Sequence, residues 1–285
     1  WHDTEGLIEF ANLLYAKVNL LEEEGLKFYL AYKDKIDSIF SDESAGNLSQ
    51  TDTELLLSSM YVYYAKKVYD GIDSKKVKEM GWFLPRKNLS YENLLDSLLS
   101  DPKLLRKNEQ QLFGQYYKLR DVLKKYRQIE KNGGWTPIAI DSLEKTYKPS
   151  DSSKTIGQIR QRLALTGDLK LDSKSNVYDE ELMAGILNYK KRNGFNTDYL
   201  IASKHIQRMN IPIENYIKTI IANMERCRWI DPKLTKTDEY IIINIPSYQF
   251  FFKKNGQNEL ESKVFVGKNM NKTVVLSSNI DKIVF

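Results

Sequence analysis

Apolar residues in the first half of the chain recur at helical spacing. Leu7, Ala11, Leu14, Val18 and Leu21 fall on one face and predict a helix that Gly25 stops. The polar stretch Asn47 to Thr53 offers Ser49, Thr51 and Asp52 as N-caps for a second helix. That helix carries Leu57, Tyr61, Tyr64 and Val68 and ends near Gly71. Leu94, Leu95, Leu98 and Leu99 predict a short third helix. Asp101-Pro102 halts it, because a residue before proline is pushed out of the helical region. A longer helix is predicted from Glu109 to Lys131, with Leu112, Tyr116, Leu119, Leu123 and Tyr126 on one stripe. Tyrosines at this spacing read as core residues before they read as sugar-stacking platforms.

Gly133-Gly134-Trp135-Thr136-Pro137 breaks the helical pattern and marks a domain boundary. A small helical module follows. Ile156, Ile159 and Leu163 form one helix closed by Gly167. Leu182, Ile186 and Tyr189 form another, capped by Asp179 and closed by Gly194, and Ile201 to Met209 form a third. Ile213, Ile217, Ile220, Met224 and Cys227 step along the face of a further helix. After Pro232 the period changes to that of strands. Tyr240 to Ile245, Tyr248 to Lys253 and Glu259 to Val266 are β-rich, and Asn255-Gly256 is a hairpin signal. Thr273 to Leu276 and Lys282 to Phe285 predict two more strands. Such a sheet is expected to need further chain to close, and to self-associate through its open edge.

Composition narrows the field. The 285 residues favour two or three domains, and 41% hydrophobic with 28% charged residues is a globular balance. No apolar run approaches the roughly 18 residues of a membrane span. The chain opens at Trp1 without a leader, which says nothing about its compartment. A net charge of +5 is a mild, dispersed excess. Lys124-Lys125-Tyr126-Arg127 reads as a solvated helix face, so a nucleic-acid partner is not expected, while weak attraction to an anionic polymer is compatible with it. The single cysteine, Cys227, excludes an internal disulfide, and the only histidines are His2 and His205.

A series of segments then points to a family. The helix-to-strand junction reads Asn223-Met224-Glu225-Arg226-Cys227-Arg228-Trp229-Ile230, preceded by Met209-Asn210-Ile211-Pro212-Ile213. Tyr240-Ile241-Ile242-Ile243-Asn244-Ile245-Pro246-Ser247-Tyr248 and Val264-Phe265-Val266-Gly267-Lys268 follow. In this order they resemble the large L,D-transpeptidases of Gram-negative envelopes, which carry a helical scaffold domain. Tyr64-Ala65 to Gly71, and Tyr117-Lys118-Leu119 through Gly133-Gly134-Trp135, resemble the scaffold's middle and end. Gly167-Asp168-Leu169, Tyr178-Asp179 and the helix from Leu182 to Gly194 resemble the family's peptidoglycan-binding module.

The resemblance implies an α+β multidomain chain. Residues 1–134 would be a helical scaffold, 135–212 a three-helix peptidoglycan-binding-like module, and 213–285 a connecting helix with the first strands of a catalytic β-domain. It also implies a periplasmic or envelope location and peptidoglycan stem peptides and glycan as partners. The implied chemistry is a cysteine thioester on a stem peptide, transferred to an amine, with no metal or organic cofactor needed. The family's Ser-His-Gly-Cys signature is not in this sequence. The resemblance places it after the strands that close the chain, so these residues alone are expected to be inactive. The alternative is a non-catalytic peptidoglycan-binding or scaffold protein. The substrate-facing residues that follow from the resemblance are Tyr189, Asn193, Arg228 and Trp229, with Asn223, Glu225 and Arg226 as a structural motif. Glu225 can meet both Arg228 and Trp229 on one helix, which would lock that helix against the β-domain. Cys227 lies on the apolar stripe and reads as core. The small module departs from its family in Tyr189-Lys190-Lys191-Arg192-Asn193-Gly194-Phe195 and in Asp198-Tyr199-Leu200-Ile201, where two glycines are lost.

Overall fold

The computed structural model describes residues 1–41, 48–86, 89–102, 104, 111–140, 145–268 and 270–282. Asn47, Glu109, Gln110 and the last residues of the final predicted strand, Ile283, Val284 and Phe285, lie outside the described residues. The chain is α+β, and it divides into two compact units, Trp1–Lys124 with Ile220–Phe285, and Lys125–Thr219.

In the first unit, a short hairpin of β1 (His2–Asp3) and β2 (Gly6–Leu7) leads into α1, Glu9–Asn19. Its Phe10, Ala11, Leu14 and Val18 are buried, as the helical spacing requires, and the helix packs on the helix Gln50–Ala65. A single 3-10 turn, Leu21–Glu24, then stops at Gly25. Helix α2, Lys33–Ile39, has one buried apolar residue, Ile36, and so has no periodicity for a sequence reading to find. Helix α3, Gln50–Ala65, begins where the Ser49 hydroxyl accepts the Asp52 amide at 3.1 Å. It widens into a π turn, Lys66–Asp70, ahead of Gly71. Helix α4, Ser74–Glu79, is as short as α2 and hides for the same reason. Helix α5, Tyr91–Ser100, buries Leu94 and Leu98 and ends before Asp101-Pro102. Helix α6, Gln115–Lys131, starts later than its stripe suggests, although Leu112 is buried just ahead of it.

The same unit holds the strands that follow the last long helix. Strands β6 (Glu239–Asn244), β7 (Gln249–Lys254) and β8 (Gln257–Lys263) form an antiparallel sheet in the order β6-β7-β8. The Asn255-Gly256 turn pairs Lys254 with Gln257, and both turn residues have positive φ, 50° and 78°. Among the described residues both outer strands pair only with β7, and Ile241, Ile243 and Leu260 are exposed. Val275–Leu276, β9, does not join this sheet. It pairs in parallel with β3, Trp82–Phe83, a two-residue strand with no sequence signal of its own.

The second unit is the small module. Helix α7, Lys154–Thr166, is capped by Ser153, which accepts the Ile156 amide at 3.2 Å, and closes at Gly167. Helix α8, Glu180–Asn193, is capped by Asp179 at 3.0 Å from the Leu182 amide and closes at Gly194. Ile201–Ala202 forms β5, paired antiparallel with β4 (Thr146–Tyr147). The third helix, α9, is therefore confined to Ser203–Met209. Ile156, Ile159, Leu163, Leu182, Ile186 and Tyr189 share one core with Ile201 and Met209. Helix α10, Ile213–Arg228, contributes its first residues to this unit and its last to the other. No helix of the described residues is long and apolar enough to cross a membrane.

Candidate functional site

The C-terminal turn of α10 carries most of the junction motif, and the first unit encloses it. Arg228 is 1% exposed. Its Nε donates to the Val68 carbonyl at 3.0 Å, and one terminal nitrogen donates to the Glu24 carbonyl at 2.7 Å and the Tyr116 hydroxyl at 3.0 Å. The other terminal nitrogen meets Glu225 Oε2 at 3.0 Å. Glu225 Oε1 accepts the Ile72 amide at 2.7 Å and the Trp229 indole N–H at 2.8 Å. Both one-turn contacts of Glu225 are thus present. Their anchor differs from the expected one: the partners are the turn after α1, the end of α3 and helix α6, not the strands β6 to β8. The cause is Gly71. At φ 68° and ψ −141° it lets the chain turn directly under the Glu225 carboxylate, which a Cβ there would strike. The Tyr116 hydroxyl also donates to Glu24 Oε2 at 2.5 Å, and burial, helped by Glu24 and opposed by Arg228, holds this phenol well above its ordinary range. Trp229 is buried edge-to-face on Trp82, with ring centroids 5.2 Å apart. Asn223 and Arg226 pair on the exposed side, the guanidinium donating to Asn223 Oδ1 at 2.9 Å.

The groups suited to thiol chemistry are all occupied structurally. Cys227 is buried, and burial pushes its thiol up to about 11 although Arg228 pulls the other way. His2 bonds Glu54 at 2.8 Å. The His205 Nδ1 accepts the Ala202 amide at 2.9 Å inside the small module, and burial draws this imidazole down to about 4.

The second unit contains a narrow, partly open cleft lined in part by Tyr126, Trp135, Arg162 and Tyr216. Its walls are aromatic. Tyr126, Trp135 and Tyr216 form a triangle with ring centroids 5.8 to 6.0 Å apart. The Trp135 indole N–H is tied to the Ile211 carbonyl at 3.1 Å. Arg162 lies over the Trp135 ring at 4.5 Å, and Arg208 over Tyr216 at 5.7 Å. Arg192 holds Asp168 through two nitrogens at 2.9 and 2.6 Å, a bidentate pair. Tyr189 lines the same cleft, with its hydroxyl donating to the His205 carbonyl at 3.1 Å. Asn193 sits beside it, its amide donating to the Tyr189 carbonyl at 2.9 Å.

The residues singled out from the sequence therefore separate by unit. Tyr189 and Asn193 belong to the module with the cleft. Arg228, Trp229 and Glu225 belong to the buried lock. Trp135 was legible only as part of a hinge. Arg162 and Tyr216 carried no motif, Arg192 stood only inside the segment 189–195 that departs from the family's module, and the one further signal was a basic residue, Arg162, in an otherwise apolar helical register. Residues 1–123 are similar to a family model described as the Scaffold domain. No curated protein matches the chain.

Proposed function

We propose that this chain is the non-catalytic front of a peptidoglycan L,D-transpeptidase of the periplasm, together with the first strands of its catalytic sheet. The observation that carries the reading is the joint one. The segment similar to the Scaffold domain encloses the Glu225-Arg226-Cys227-Arg228-Trp229 turn, and this turn leads within a few residues into an antiparallel sheet whose outer edges have no partner among the described residues. In the proposed reaction a cysteine thiolate attacks the amide carbonyl after the third residue of a stem peptide. A carbon–sulfur bond forms, the carbon–nitrogen bond breaks, and D-alanine leaves with the proton on its amine. A second stem's amine then attacks the thioester and releases the thiol. Cys227 is not that nucleophile, because its thiol is buried and held protonated.

The test is to incubate the gene product bearing this chain with a tetrapeptide muropeptide. D-alanine release, with a thioester adduct mapped by mass spectrometry to a cysteine other than Cys227, is expected. An adduct on Cys227, or no release, refutes the reading. The second reading, a scaffold protein without catalysis, rests on the structural use of Cys227, His2 and His205. Co-sedimentation with purified sacculi in the absence of D-alanine release would favour it.

A further inference from the structure

Tyrosines on the helical stripes of the first unit are buried, as Tyr61, Tyr64 and Tyr116 show. The two most exposed tyrosines among the described residues, Tyr29 at 77% and Tyr32 at 68%, lie off those stripes, in the segment that leads into α2. Tyr32 stands in the left-handed region, at φ 57° and ψ 32°. A side chain crowds the backbone there, and glycine or asparagine adopts that conformation more readily. The Tyr32 carbonyl accepts the Ile36 amide at 3.0 Å and opens α2, but its side chain makes no capping hydrogen bond. A ring that is strained, exposed and uninvolved in capping serves neither the core nor the helix start. Tyr29 is tied down by its backbone and not by its ring, since its amide donates to the Tyr63 hydroxyl of α3 at 3.1 Å. Two lysines sit on this face. Lys35 Nζ lies 5.8 Å from the centroid of the Tyr32 ring, and Lys67 Nζ lies 6.0 Å from that of Tyr63. Lys33 is taken by Asp37, whereas neither Lys35 nor Lys67 forms an ion pair among the described residues. All five residues fall within the segment similar to the Scaffold domain, and none takes part in the buried lock.

We propose that this face of the first unit is a docking surface for a carboxylate-bearing glycan strand. A sugar ring presents a face of C–H groups bordered by hydroxyls. The negative face of an aromatic ring attracts polarised C–H groups, and a tyrosine adds a hydroxyl at its rim. Tyr29 and Tyr32 offer such faces on a surface, where tyrosine gives large contact area with little side-chain entropy to lose. Lys35 and Lys67 supply compact, mobile positive charges, which suit carboxylates spaced along a polymer better than a single planar one held in a fixed pose. The net charge of +5 adds a weak attraction at longer range. A lipid surface fits less well. Interfacial segments are amphipathic helices that insert leucine, phenylalanine and tryptophan, whereas the large apolar side chains exposed between residues 26 and 35 are tyrosines ahead of a helix. An acidic peptide would use the lysines and leave the rings idle. Reading the glycan as peptidoglycan rests on the function proposed above; the match of rings and ammonium groups to an anionic sugar polymer does not.

The test compares the full chain with Tyr29→Ser/Tyr32→Asn and with Lys35→Gln/Lys67→Gln. The probes are peptide-free peptidoglycan strands, whose muramic acids carry free carboxylates, neutral chitohexaose, and phosphatidylglycerol vesicles. Calorimetry follows the two sugars, and co-sedimentation follows the vesicles. The unaltered chain is expected to bind the anionic strands more tightly than chitohexaose, and more weakly as salt rises. Losing both rings should weaken strand binding roughly tenfold. Losing both lysines should bring the strands down to the level of chitohexaose. The urea midpoint of Tyr29→Ser/Tyr32→Asn should hold or rise, because asparagine tolerates the left-handed backbone and neither ring is buried. A falling midpoint would assign the rings to packing and overturn the proposal. Strand binding that ignores the ring variant, equal affinity for chitohexaose, or vesicle binding in place of strand binding would overturn it as well. D-alanine release without strand binding would sink the docking surface and spare the transpeptidase reading. Ring-dependent strand binding without D-alanine release would do the reverse.

Discussion

Arg228→Met is the most informative single perturbation of the first unit. Methionine keeps an unbranched apolar stem of similar reach, so packing changes little and the polar contacts are what is removed. Four hydrogen bonds disappear, to Val68, Glu24, Tyr116 and Glu225. Two of the acceptors are buried backbone carbonyls, each costing about 1–3 kcal/mol when left without a donor. Glu225 loses its cation, but at 17% side-chain exposure it regains some hydration. Breaking a buried pair costs about 3–5 kcal/mol, and the partial exposure of Glu225 places the expected loss near the lower end, about 3 kcal/mol. The assay is urea unfolding followed by tryptophan fluorescence in a Trp135→Phe background. There the remaining tryptophans, Trp1, Trp82 and Trp229, all report on the first unit. With m of about 1–3 kcal/mol/M, the midpoint should fall by about 1 M or more. A loss below about 1 kcal/mol would mean that Arg228 is not the fastener of α10, and the account of the junction motif would fail with it.

Gly71→Ala should cost about 2–3 kcal/mol in the same assay, since it adds a Cβ both at positive φ and against the Glu225 carboxylate. Gly81→Ala, at φ 81° with open space around it, should cost only about 1 kcal/mol, and equal losses at the two positions would remove the Glu225 contact from the explanation. His205 predicts an acid sensitivity of the small module. The unfolded chain takes up the imidazole proton near pH 6.5 and the folded one near 4, so stability falls as pH drops through that window and is level above it. The total is on the order of 3 kcal/mol, and a native NMR titration midpoint at or above 6.5 would refute it. Cys227, with its thiol held near 11, should resist iodoacetamide in the native chain at pH 8 and react on unfolding. Native alkylation at the rate of a free thiol would contradict its burial.

The helices legible in the sequence are those with one buried face, most of them with a chemical stop at one end or both. In α1, α3, α7 and α8 the apolar spacing is local, as are the Ser49 and Asp179 caps of α3 and α8 and the glycines Gly167 and Gly194 that close α7 and α8, and local signals survive whatever the helix later packs against. The Asn255-Gly256 hairpin is legible for the same reason. Helices α2 and α4, with one buried apolar residue apiece, are held by neighbours and leave no period to read. The alternation of residues 240–263 identified strands but could not say that Val275–Leu276 would leave them for Trp82–Phe83, a pairing of two residues on each side. Glu225, Arg228 and Trp229 could be placed on one helix face by spacing alone. Only the fold determined what that face meets, because Gly71 comes from a segment far away in the chain.

Sequence by itself thus determined where the longer helices lie, where the hairpin turns at Asn255-Gly256 and where the main run of strands follows the last helix, since those choices are made by contacts a few residues apart. The tertiary structure alone decided which charges are neutralised. Arg160 and Arg162 lie two residues apart on one helix, and both are buried. One faces Asp179 and Glu181, while the other faces carbonyls and aromatic rings. The electrostatic state of a buried cation is set by groups within a few ångströms in space, and no local pattern along the chain encodes which groups those will be.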